Sequence, residues 1–148
     1  MSIPSRGLIP TGQFLDNDSP HNFSKLAREY LDAAKFTNAG FNGFPMWPTY
    51  FLLFQSLENL LKAYLLAHGT TMHYIQFKIG HKLCLALSEA KAKGLMVDAP
   101  KDVQDNVMAM TQDYTARDFQ YRSIGEWTLV PPNVALAYVE AVSKVVNY

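Results

Sequence analysis

The chain has 148 residues, the size of one domain able to bury a single core without disulfides or metals. It is about half apolar and 18% charged, and its 13 basic and 13 acidic side chains cancel. That balance excludes a disordered polyelectrolyte and a protein held to nucleic acid by overall charge. Charge is nevertheless segregated: from Lys62 to Lys93 there are five lysines against Glu89 alone, and from Asp98 to Asp118 five aspartates against Lys101 and Arg117. As a rule such blocks are solvated faces or pairing helices.

Residues 1–18 have no period and are expected to form a loosely held arm; residues 19–148 form one domain. Ser19 before Pro20 is an N-cap followed by a first-turn proline. Phe23, Leu26, Ala27, Tyr30, Leu31 and Ala34 then recur at helical spacing, predicting a helix to about Thr37. The loop "FNGFPMWP" is rich in apolar residues and is expected to fold back on the core. A second helix is predicted from Pro48 to His68, stopped by Gly69, with Tyr50, Phe54, Leu57, Leu61, Tyr64 and Leu65 as its stripe. Phe51, Leu52 and Leu60 widen that stripe, so this helix is either central or shared with a second subunit. Glu58 and Lys62 are placed to pair on its polar side.

A third helix follows "IGHKL", carries Leu83, Leu87 and Ala90, and stops at Gly94. The fourth opens at "DAPKD", and its stripe runs through Val103, Val107, Met110 and Tyr114 to Arg117 and Tyr121. Pro131 and Pro132 open a fifth, with Ala135, Tyr138, Val139, Val142, Val145 and Val146 inside. The pattern predicts an all-α protein, an up-and-down four-helix bundle with one additional helix.

Motifs for chemistry are sparse. His68, His73 and His81 have no companions at zinc-ligand spacing, so no metal is assigned. Cys84, the only cysteine, sits in the apolar run "LCLAL", where a buried, inert thiol is expected, and it allows no intrachain disulfide. "GFNGF" lacks the lysine of a phosphate loop, and Asp102 and Asp105 complement a helix dipole. No cofactor is implied. The amino terminus shows no secretory pattern and the longest apolar run is "VALAYV", so a cytoplasmic protein without a membrane span is expected.

The segments "SLENLLKAYLLAHG" and "GHKLCLALSEAKAKGL", residues 56–95, resemble the HEPN superfamily of RNA- and nucleotide-associated helical domains. The resemblance implies a four-helix bundle, often a two-fold dimer, often in a defence or toxin–antitoxin system beside a small nucleotidyltransferase. Many HEPN members are metal-independent ribonucleases whose motif is an Arg, a polar residue and, a few positions on, a His. Arg117 and Asp118 stand where that motif would begin, but the expected His position holds Arg122.

A guanidinium cannot exchange protons near neutral pH, so this motif keeps phosphate grip without its proton carrier. On a regular helix Arg122 lies about 140° around from Arg117. Arg117 is expected either to bind phosphate or to pair inside the bundle, with Glu58 a candidate partner. The implied function is weak binding of RNA or a nucleotide by Arg117, Asp118, Tyr121 and Arg122, with Tyr121 as a stacking surface and ribonuclease activity lost. A homodimeric protein–protein scaffold without a small ligand is the alternative, and an active metal-independent endoribonuclease the third.

Overall fold

The computed structural model describes residues 19–40, 47–112 and 130–148. They form α1 (Pro20–Gly40), α2 (Trp47–Ala67), α3 (Met72–Tyr74) running into a π-helical stretch (Ile75–Ile79), α4 (Leu83–Ala92), α5 (Lys101–Gln112) and α6 (Pro132–Val145). No strand occurs among the described residues. The expected arm at residues 1–18, most of the "FNGFPMWP" loop and the extension of α5 through Tyr114, Arg117 and Tyr121 lie outside them.

Local chemistry accounts for the helix ends. Ser19 Oγ accepts from the Asn22 N–H at 3.1 Å, capping α1 as its sequence signals. Gly69 and Gly94, at φ +93° and +103°, follow α2 and α4. Pro132 takes the first turn of α6.

Packing explains the breadth of the α2 stripe. α2 touches α1, α4 and α6, and Leu53, Leu57, Leu60, Leu61 and Leu65 are all inaccessible. Phe51 and Leu52 are half-buried and packed against the same cluster. A position against three other helices accounts for the burial of Leu60 on this widened stripe.

Polar contacts fix the helix directions. Thr37 bonds Thr49 at 3.0 Å, and Ser56 donates to the Ala27 carbonyl at 2.7 Å, so α1 and α2 run antiparallel. Asn38 donates to Asn133 at 2.7 Å and Lys35 pairs with Glu140 at 2.9 Å, while His21 meets the Tyr148 carbonyl, so α6 also opposes α1. α4, however, runs with α2, because His81 meets Glu58 while the Lys93 carbonyl meets Tyr64. The α3–π segment makes this possible by carrying the chain back along α2. With that segment counted, consecutive elements alternate direction from α1 to α4.

Three packing expectations need correction. On α1 the buried line is Ser24, Ala27, Leu31 and Ala34, whereas Leu26 is 40% exposed. Small residues let α1 approach α2 closely enough for the Ser56–Ala27 bond, so the seam is narrower than the apolar stripe. On α6 Val145 is 47% exposed while Val146, past the helix end, is buried. Cys84 is half-buried, with Sγ donating to Met108 Sδ at 3.6 Å.

Candidate nucleic-acid interface

Arg117, Asp118, Tyr121 and Arg122 all fall within residues 113–129, outside the described residues. The described chemistry gathers instead where α2, the α3–π segment and α4 meet.

Glu58 is the first element of this region. It faces inward from α2 at 3% exposure, not toward the polar side. Lys62, one turn on, reaches it at 3.8 Å and is itself mostly buried, so the spaced pair forms inside the bundle. His81 Nδ1 meets the same carboxylate oxygen at 2.9 Å. A carboxylate only accepts, so Nδ1 carries the proton and Nε2 is the ring's second nitrogen. The imidazole side chain is 73% exposed.

Gly80 sets up this contact. It closes the π stretch by donating its N–H to the Ile75 carbonyl at 2.8 Å, at φ +53° and ψ −119°. Side chains strongly disfavour that backbone region, and the turn delivers His81 over Glu58.

From Met72 to Lys82 the chain lies on the surface, pinned by fully buried Ile75 and Ile79. His73 and Tyr74 before the first pin and Gln76, Phe77 and Lys78 between the two are exposed, and His81 and Lys82 follow. Phe77 is 65% exposed. The His73 ring lies 4.6 Å from it in a tilted arrangement. π-Helical turns recur at functional sites, and this one spreads aromatic and cationic side chains side by side.

Beside this surface runs a groove of about 380 Å³ lined by Thr70, Thr71, Tyr74, Glu89 and Lys93. Tyr74 donates its hydroxyl to Glu89 Oε1 at 2.6 Å. That bond to an anion holds the Tyr74 phenol above its ordinary pKa, with a smaller contribution from lost solvation. Lys93 Nζ lies 3.4 Å from the His68 carbonyl, and the His68 ring stacks on Tyr64 at 3.9 Å.

The sequence signals for this region were present but dispersed. The lysine excess from Lys62 to Lys93 marks the surface, and "HYIQFKIGHK" interleaves rings and cations. The segment has too few residues for a helical period, so α3 and its π extension are not legible as an element. Among the described residues, no group of three or more His, Cys, Asp and Glu could hold a metal ion, and no helix is long and apolar enough to cross a membrane. Compared with known proteins, the chain matches no family model, no curated protein and no solved structure.

Proposed function

We propose that this chain is a HEPN-like helical domain that binds single-stranded RNA or a nucleotide, without ribonuclease activity of its own. The observation that carries this proposal is the surface of residues 72–82. Exposed Phe77 and Tyr74 stand among Lys78, His81 and Lys82, in a segment where Glu89 is the sole acid from Lys62 to Lys93. Sequence-tolerant binders of single strands combine these parts, with rings for the bases and cations for the backbone. In this proposal Arg117 and Arg122 hold phosphate, Tyr121 stacks and Asp118 orients them. A role in a defence or toxin–antitoxin system beside a nucleotidyltransferase belongs to the same proposal.

The test is fluorescence anisotropy of a labelled single-stranded RNA oligonucleotide titrated with the full chain. Lys78→Ala with Lys82→Ala is expected to weaken binding and flatten its salt dependence by about 0.7 per lost phosphate contact. Phe77→Ala should cost about 1–3 kcal/mol of binding, the worth of one stacked base. Binding indifferent to all three substitutions would refute this surface as the interface.

A second function, a homodimeric scaffold, is favoured by Phe36 and Met96, which are 83% and 81% exposed. Large apolar side chains left in water often mark partner surfaces. Light scattering separates the two functions: a scaffold is dimeric at micromolar concentration, becomes monomeric with Phe36→Ser or Met96→Ser, and leaves RNA unbound.

A further inference from the structure

Resting on the RNA-binding proposal, we infer that the groove between α3 and α4 is the subsite that distinguishes RNA from DNA, with Glu89 accepting a hydrogen bond from a ribose 2′-hydroxyl. Three observations lead there.

The first is the position of the acid. Glu89 is the sole acid from Lys62 to Lys93, a stretch whose exposed cations include Lys78, Lys82 and Lys93. A carboxylate on a phosphate-binding surface repels phosphate, but a carboxylate oxygen without a protein partner can accept from a donor on the strand. Of the donors on a nucleic-acid strand, the 2′-hydroxyl is the one that RNA carries and DNA lacks.

The second is the state of the carboxylate. Oε1 is occupied by the Tyr74 hydroxyl at 2.6 Å, which fixes its orientation. Oε2 has no protein partner among the described residues. Glu89 is half-buried and lines the groove, so the carboxylate is held in one orientation beside open space.

The third is the setting. At about 380 Å³ the groove lies within the range of small-ligand clefts. Exposed Thr71, Tyr74 and Lys93 form its rim, so a longer strand can pass through. Lys93 supplies a cation for the adjoining phosphate, and Thr70 and Thr71 add hydroxyls. Tyr74 lies one turn before Phe77 on the same helical segment, which makes the groove continuous with the stacking surface.

The experiment uses three labelled oligonucleotides of one sequence, with ribose, deoxyribose and 2′-O-methyl ribose, titrated against the full chain. The unmodified RNA is expected to bind about tenfold more tightly than the other two, the worth of one hydrogen bond to a charged acceptor. The 2′-O-methyl strand keeps the sugar but cannot donate. Glu89→Ala should abolish the preference by weakening RNA alone, with DNA affinity unchanged or raised. Tyr74→Phe should reduce the preference without abolishing it, since the carboxylate remains but loses the bond that orients it. Equal binding of RNA and DNA by the native chain would overturn the subsite and leave the RNA-binding proposal standing. A preference that survives Glu89→Ala would overturn Glu89's role as acceptor. No binding of any strand would overturn the proposal and the subsite together.

Discussion

Two ionisable side chains on α2 lie mostly buried against each other. Glu58 is 3% exposed, and its carboxylate is stabilised by Lys62 at 3.8 Å and His81 at 2.9 Å. The partners differ in what their loss would leave behind. Without Glu58, the imidazole of His81 is already hydrated and the lysine can extend toward solvent. Without Lys62, a buried anion keeps only a histidine. Lys62→Met is therefore expected to destabilise by about 3–5 kcal/mol, and Glu58→Gln by clearly less, in paired urea melts. Equal costs would show that the carboxylate is better hydrated than its burial implies. Tyr138 is the reverse case, because its hydroxyl is buried with no hydrogen-bond partner among the described residues. Tyr138→Phe should be neutral or stabilising by up to about 1–3 kcal/mol. Tyr50→Phe should instead cost about 1 kcal/mol, since that hydroxyl donates to the Val130 carbonyl at 2.6 Å.

Among the elements, α2 and the return segment behave differently under substitution. α2 is held by apolar burial on several sides, and Leu61 is fully inaccessible. Leu61→Ala should cost about 2–5 kcal/mol. A cost below about 0.5 kcal/mol would place Leu61 on the surface. The α3–π segment is held by two isoleucines and by Gly80. A methyl group at Gly80 would meet only the Gln76 carbonyl oxygen, at 3.9 Å, so the obstacle is conformation and not space. Gly80→Ala is expected to cost about 1–3 kcal/mol and to weaken the His81–Glu58 contact. The ring resonances of His81 should then shift in NMR spectra, and unchanged resonances would show that Gly80 does not position the ring.

For the whole molecule, the alkaline limit of stability follows from buried phenols. Burial pushes Tyr50 and Tyr138 up to about 12, against an ordinary 10 in the unfolded chain. Below pH 10 both states keep their protons and this contribution is complete. Between pH 10 and about 12 the unfolded chain ionises first, so stability falls by about 1.4 kcal/mol per pH unit for each tyrosine. Tyr138→Phe should shallow that loss, as read by urea midpoints across pH 9–12. An unchanged slope would show that Tyr138 ionises as easily when folded as when unfolded.

The sequence alone ended α1 near Thr37, where the helix runs to Gly40. It determined the all-helical class, the Ser19 cap, the glycine stops after α2 and α4, and most of the apolar core of α2 and α6, though not Leu53 or Ala63. These follow from chemistry repeating every few residues, which a linear chain displays directly. It also showed the segregated lysines, and so which stretch would be basic. Only the tertiary structure decided that Glu58 turns inward, since its i+4 lysine is equally compatible with a wet or a dry face. Packing also decided that Ser24 and Ala27, not Leu26, line the α1 seam, because the distance between helices selects small side chains. The groove was beyond the sequence for the same reason. Tyr74 and Glu89 are separated by a turn and most of α4. They meet at 2.6 Å because the short return segment sets α4 parallel to α2.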